Sequence, residues 1–405
     1  MPSNYHETSI RRIEAALPLH DDVPFIIDDS TLALTMGFKL RVLWWLILRP
    51  QTSYKAFKIP KASGKLREIF APSGPMKAAA NRIRALFLVP LVRKLGAHVT
   101  AYREGRGARD AARVHMFDCG VCGPHDGQHT CDYSVTVTPI GYTVSKTGDC
   151  AACATPRKHE NCPRRGVKVH MDLRDFFPNT RAAWIRDYLM NSVGYNYGAA
   201  NILASLMTVR MSRKMADGKT IFWHGVPQGS PTSGDICNLV ADYRLDQPLL
   251  RVLEGSGWRY TRYADDLYFS HPENLPADGV THLLREVQRV VCNSGWKLNY
   301  AKLRIQRAGS NQRLLGMTVN QKPNIPRDEY RRIRSAIHRC WYNGFDGEAA
   351  WHGKTSGAAL ASWLTGKLAW YSTINPGKTA RLRSVLMAAK ERHPKGTGDG
   401  TSTAA

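Results

Sequence analysis

Apolar residues along this chain recur with two periods, every three to four positions and every second position, which are the periods of an amphipathic helix and of a half-buried strand. ETSIRRIEAAL near the N-terminus is amphipathic, and STLALTMGFKLRVLWWLIL predicts a helix that starts at Ser30 or Thr31 and breaks at Gly37. We read these as a helical cap on the next domain, in preference to a helix-turn-helix DNA reader. YKAFKIPKASGKLREIFAP alternates like a hairpin turning at Ser63-Gly64, and it displays Lys61, Lys65 and Arg67. MKAAANRIRALFLVPLV predicts another helix, and VKVHMDLRDFFP a half-buried strand ending in Asp172. Helices are then expected from Arg181 to about Ser192 and from about Ala199 to Arg213. MADGKTIFWHGVPQGS predicts a strand pair around Asp217-Gly218 and a Gly/Pro-rich loop, and after it a helix capped by Thr232 or Ser233 and running through about Leu253. YTRYADDLYFS reads as two short strands meeting at Ala264-Asp265-Asp266. VTHLLREVQRVVCNSGWKLNYAKLRI gives a long helix, a turn and a strand, with Cys292 expected on the apolar face and in the core. From Pro326 to about Arg392 the pattern is helical and basic, and the tail PKGTGDGTSTAA has a disorder-prone composition.

The hairpin tip is where the pattern acquires chemistry. Two carboxylates held at one turn repel each other, and an acidic cluster without His or Cys ordinarily takes a hard divalent cation such as Mg2+. An isolated Asp-Asp is most simply a solvated turn. Here Asp172 at an upstream strand end supplies a third carboxylate, and such a trio suits two-metal phosphoryl transfer.

Charge changes the picture next. The 405 residues carry 57 Lys plus Arg against 33 Asp plus Glu, a net charge of +24, with the basic residues spread along the chain. Such an excess favours a polyanion, because each phosphate contact releases condensed counterions. Nucleic acid is the economical reading and an anionic membrane surface the weaker one. The longest apolar run, Val42 to Leu48, falls far short of the ~20 residues of a membrane span. MPSNYHETSIRRIEAAL lacks an uninterrupted apolar core, so we expect no secretion signal, a cytoplasmic location and reduced thiols.

Six of the nine cysteines crowd into about fifty residues between His115 and Val167. They form two similar pieces, CGVCGPHDGQHTC (Cys119, Cys122, His125, His129, Cys131) and CAACATPRKHENC (Cys150, Cys153, His159, Cys162), around a predicted hairpin turning at Ile140-Gly141. Cys-x-x-Cys pairs flanking a hairpin have zinc spacing, and so small an insertion has too little core to fold without help. Zinc is preferred to disulfides or a disordered loop. One ion on Cys119, Cys122, Cys150 and Cys153, or two ions each on three Cys and one His, both remain open. Full thiolate coordination leaves no position for catalysis, so the expected role is structural, in a module that reads RNA or a partner protein.

The blocks MDLRDFFP, GVPQGSPTSG and YADDL occur in this order, and together they resemble the bacterial retron-type and group II intron-type reverse transcriptases. The likeness runs from about Leu32 to about Leu386, interrupted by the Cys-rich insertion. It implies an α+β right-hand polymerase with fingers (53–115), palm (167–322) and helical thumb (323–393), preceded by an N-terminal helical region (1–52), interrupted by the zinc-binding insertion that the cysteine spacing predicts (116–166) and followed by the tail of disorder-prone composition (394–405). It implies that Asp172, Asp265 and Asp266 bind two Mg2+ ions, with Lys302 as general acid for pyrophosphate. Lys65 and Arg67 would grip the triphosphate, Asp175 and Phe176 form the floor beneath it, Phe177 act as the sugar gate that prefers deoxynucleotides, and Gln228 contact the nucleotide and its template base. One of the two Phe residues is expected to be core. The stretch AYREGRGARDAARVH matches the family at Gly105, Arg106, Ala112 and His115, but Ala111 replaces the usual Asn; Leu314-Leu315-Gly316 replaces Val-Thr-Gly, with only Gly316 matching. Arg106, Gly316, Arg331, Arg332, Arg334 and Lys367 are the expected nucleic-acid contacts. The implied partners are a structured non-coding RNA serving as template and primer, the RNA–DNA product, dNTPs and an effector or toxin protein, in a retron-like antiphage setting. The alternatives are a defence reverse transcriptase making repetitive or untemplated DNA, or an RNA-binding scaffold with a silent palm.

Overall fold

Asp28 starts the first helix among the described residues, α1 (Asp29–Thr35), by accepting from the Thr31 backbone N–H at 2.8 Å and the Thr31 hydroxyl at 2.7 Å, so the cap lies two residues earlier than the sequence suggested. The computed structural model describes residues 20–49, 51–60, 64, 66–117, 132–138, 141–147, 166–307, 309–320 and 322–394. The expected helix in residues 7–17, Lys65, the six insertion cysteines with His125, His129 and His159, and the tail from 395 lie outside them. Gly37, at φ 63, separates α1 from α2 (Leu40–Leu48) as the pattern predicted.

The basic hairpin is β1 (Tyr54–Pro60) against β2 (Leu66–Pro72), registered from Tyr54↔Pro72 to Pro60↔Leu66. Helix α3 (Gly74–Ile83) buries Met76, Ala79, Ala80 and Ile83 and runs through a π-turn at Arg84–Leu88 into α4 (Val89–Arg93). Pro90 has no N–H to give, and the π-turn absorbs the lost bond without ending the helix. Helix α5 is Ala108–Val114. Strands β3 (Asp132–Thr138) and β4 (Gly141–Thr147) pair up to Thr138↔Gly141, so Gly141 is on the strand, and Ile140 lies outside the described residues.

Strand β5 (Lys168–Asp172) leads to α6 (Phe176–Asn179), α7 (Ala182–Tyr188) and α8 (Tyr197–Leu206). The helix expected to reach Arg213 stops at Leu206, because Val-Arg-Met-Ser-Arg-Lys alternates: Val209 and Met211 are buried between exposed polar residues, forming β6 (Val209–Lys214) against β7 (Thr220–Gly225). Then come α9 (Ser233–Ala241), a π-turn at Asp242–Asp246, α10 (Gln247–Leu253), β8 (Arg259–Tyr263), β9 (Asp266–Ser270), α11 (Ala277–Asn293) and β10 (Arg304–Gln306). Strands β10, β5, β9 and β8 form a four-stranded sheet in that order. Helix α11 buries Val280, Leu283, Val287, Val290 and Val291. Cys292 is exposed, contrary to expectation, because it lies one position past this stripe.

The chain divides into two compact units. The first comprises residues 1–111, 170–269 and 276–304 and holds the hairpin tip and the end of β5. The second comprises 112–169, 270–275 and 305–405. In the second, β11 (Arg313–Leu314) and β12 (Met317–Thr318) meet at a turn where Leu315 and Gly316 have φ 48 and 78. Helices α12 (Arg327–Ala349, kinked at Gly344), α13 (Gly357–Ile374) and α14 (Pro376–Arg392) pack pairwise around Ile337, Trp341, Leu364, Leu368 and Leu386. Strand β3 lies alongside α14. No single helix among the described residues is long and apolar enough to cross a membrane.

Candidate active site

The β8–β9 turn is tight because Ala264 adopts φ 56, a left-handed conformation that a small side chain tolerates better than a bulky one. It presents Asp265 and Asp266 beside the end of β5, where the Leu173 N–H donates to the Asp265 carbonyl at 2.8 Å. Asp172 is 2% exposed. Its Oδ1 accepts from Asn299 Nδ2 at 3.0 Å and its Oδ2 from Lys302 Nζ at 2.5 Å. Asp266 Oδ1 accepts from His170 Nε2 at 2.7 Å, and since a carboxylate can only accept, that nitrogen carries the proton. The His170 ring stacks on Tyr268 at 4.7 Å.

Electrostatics record how close the acids are. Burial first, then the Asp266 and Asp172 charges, push the Asp265 carboxyl up to about 6. At Lys302, desolvation pulls the pKa down, but the bond to Asp172 and the charges of Asp172, Asp265 and Asp266 outweigh it and leave the amine above its ordinary value.

A buried network underlies the hairpin. Arg262, fully buried, donates to both Asp246 oxygens at 2.7–3.0 Å and to Asn238 Oδ1 at 2.8 Å, while the Tyr260 hydroxyl donates to Asp246 Oδ1 at 2.7 Å. His98 joins through Asp242 at 2.7 Å. Although His98, Asp242 and Asp246 lie within metal-binding distance of one another, the Arg262 guanidinium already neutralises Asp246, so the trio is a structural ion-pair network.

Around the carboxylates, Arg67 is exposed on β2, and β2 is tied to the Gly/Pro-rich loop by the Phe70 N–H donating to the Gln228 carbonyl at 2.7 Å. Gly229 (φ 120) permits this approach, since a Cβ there would meet Phe70 O at 3.0 Å. Gln228 itself is half-buried. Asp175, at φ 50, pairs with Arg213 at 2.9 Å. Phe176 is 2% exposed, packed against Trp296 and beneath Arg262, so its side chain is core and does not face a nucleotide as the resemblance implied. Phe177 is half-buried, with its ring edge-on to Tyr102 at 5.9 Å. Arg106 is exposed on the loop before α5.

In the second unit, Arg331 and Arg334 are exposed on α12. Arg332 and Lys367 instead converge on Glu329 at 3.1 and 3.8 Å, and that carboxylate also accepts from the Tyr371 hydroxyl, so both are engaged within the helical bundle. Sequence reasoning missed His170, Asn299, Tyr102 and Arg262. Only Arg262 left a signal: by the two-residue period it shares a face with Tyr260, and a charge on a buried strand face requires a carboxylate.

A sheet that brings strand-end and hairpin-tip carboxylates together beside a lysine, flanked by helices, is the architecture of an α+β nucleic-acid polymerase. Residues 59–319 match the family described as "Reverse transcriptase (RNA-dependent DNA polymerase)", and the chain belongs to that family, as a retron-type bacterial reverse transcriptase. It is an RNA-directed DNA polymerase. The retron Mx65 reverse transcriptase of Myxococcus xanthus is 31% identical over 380 residues, covering 91% of this chain and 72% of that protein. The retron Mx162 enzyme of the same organism is 27% identical over 332 residues, covering 76% and 58%. Among solved structures, a telomerase from Candida albicans aligns with 10% identity and a TM-score of 0.40 over 84% of this chain and 59% of that one.

Proposed function

We propose that this chain copies RNA into DNA by two-metal nucleotidyl transfer on Asp172, Asp265 and Asp266. The observation that carries the reading is the convergence of the three acids: Leu173, next to Asp172, bonds the Asp265 carbonyl at 2.8 Å, and burial first, then the Asp266 and Asp172 charges, raises Asp265 to about 6. The donor set fits Mg2+: all are hard carboxylate oxygens, with no thiolate among them. Bound there, Mg2+ supplies positive charge to an attacking hydroxyl and a departing pyrophosphate. Lys302, kept protonated by its acidic neighbours, donates a proton to the pyrophosphate oxygen. Arg67, with Lys65, grips the triphosphate; Gln228 contacts the nucleotide and its template base; and Phe177 closes against the ribose 2′ position. Residues 53–115 act as fingers, 167–322 as palm and 323–393 as thumb, with Arg106, Gly316, Arg331 and Arg334 toward the nucleic acid. Replacing both Asp265 and Asp266 by Asn should abolish synthesis while RNA binding persists; residual synthesis would rule out the metal assignment.

The likeness to retron enzymes supports a dedicated structured RNA as template and primer, an antiphage setting with an effector protein, and a cytoplasmic location. Sequencing nucleic acid that co-purifies with the protein tests this: RNA-linked cDNA is expected, whereas repetitive DNA or RNA alone would favour a different defence enzyme or a scaffold. Residues 116–166 form a structural zinc module, supported by their cysteine spacing. Elemental assay should find one or two zinc per chain, and a zinc-free protein would remove the module.

A further inference from the structure

Tyr102 is the bulkiest of the four non-glycine residues with left-handed backbone among the described residues, at φ 53. A side chain of that size avoids this region, and such a residue persists only where its surroundings impose the conformation. Here they do so on both sides. The Ala101 carbonyl accepts from Asn238 Nδ2 at 2.7 Å, and the Arg103 guanidinium holds the carbonyls of Gly96, Val99 and Arg93 at 2.7–3.3 Å. Asn238 is in turn held by Arg262, three residues before Asp265. The strained backbone is therefore anchored to the same buried network that supports the catalytic hairpin.

What the strain achieves is the position of a ring. Tyr102 keeps 52% of its surface open, although the backbone on either side of it is held by hydrogen bonds. It meets Phe177 edge-on at 5.9 Å. Beneath it, Gly234 has no room for a side chain: a Cβ there would come within 2.6 Å of Tyr102 Cγ. Burial, then the Asp265 charge, push its hydroxyl up to about 12, with Arg67 acting the other way, so the ring stands within electrostatic reach of a catalytic carboxylate and of the arginine that faces the triphosphate.

We infer that Tyr102 is a specificity-determining residue of the nucleotide site: its ring braces Phe177 from the open side and sets how closely that gate approaches the ribose 2′ position. This rests on Phe177 being the gate. Without the brace, the half-buried Phe177 ring gains room to tilt, and a ribonucleotide's 2′-hydroxyl is accommodated.

The test compares dNTP and rNTP incorporation on one RNA template by the wild type, Tyr102→Gly, Tyr102→Phe and Phe177→Ala, with KM and kcat measured separately for each nucleotide. Tyr102→Gly removes the ring while relieving the left-handed strain, so thermal stability should hold and a purely structural role predicts unchanged selectivity. We expect the dNTP preference to fall ~10-fold or more in Tyr102→Gly, read mainly as a lower rNTP KM, and to be retained in Tyr102→Phe. If Phe177→Ala relaxes selectivity and Tyr102→Gly does not, the brace is overturned and the gate stands. If Phe177→Ala leaves selectivity unchanged, the gate reading fails, and the role of Tyr102 with it.

Discussion

At the scale of single residues, the site is a cluster of three acids, of which two have a polar side-chain partner and the third bears the others' charge. Asp172 leans on Lys302 and Asn299, and Asp266 on His170, while Asp265 has its pKa raised by burial and by the other two. A carboxyl at about 6 in the folded chain and 3.8 when unfolded binds more protons folded than unfolded between those values. Its ionisation therefore lowers stability as pH rises through that window. In EDTA at pH 7, Asp265→Asn should be more stable than the wild type by up to about 3 kcal/mol, and the gap should close toward pH 4. Urea unfolding at a series of pH values measures this, and a gap that widens as pH falls would contradict it. Mg2+ binding reverses the sense, since it requires the ionised carboxylate, so thermal protection by Mg2+ should fade below about pH 6.

At the scale of elements, the β8–β9 hairpin is held by what lies under it. Arg262 and Asp246 are both fully buried, and removing one partner strands the other's charge. Arg262→Met should cost roughly 3–5 kcal/mol, visible as a large drop in melting temperature, whereas exchanging exposed Arg334 for Met should leave it almost unchanged. The same network bonds Ala101, so partial unfolding of the Arg262 variant should loosen the Tyr102 segment early, as faster amide exchange. Elsewhere, β6 shows where a reading by period goes astray. The alternation of Val209 and Met211 with polar residues was present in the sequence, but the preceding helical run masked its start.

At the scale of the whole molecule, the net charge of +24 is the dominant fact about binding. RNA affinity should fall by ~10³ or more between 50 and 200 mM salt if six or more phosphates are neutralised. Replacing Arg331 and Arg334 by Ala should reduce the slope of log K against log salt by about one each. Arg332 and Lys367, already engaged with Glu329, should change it less, and equal effects from all four would show that the bundle pairs open on binding. Titration of a fluorescent RNA at several salt concentrations distinguishes these outcomes.

Linear order and local period were enough to announce the strand ending at Asp172, the acidic hairpin, the loop bearing Gln228 and the helical character of the C-terminal region, because each depends on residues adjacent in the chain. The family was legible in the order of three short blocks, since such blocks hold neighbouring backbone in one shape. Tertiary structure alone decided which of Phe176 and Phe177 turns inward, that Cys292 faces solvent, that His170 and Asn299 bond Asp266 and Asp172, and that Tyr102 stands against Phe177. These pairings join residues up to about 130 positions apart. A partner that distant is chosen by packing and by the need to satisfy each buried charge, and no window of sequence holds both halves of that choice.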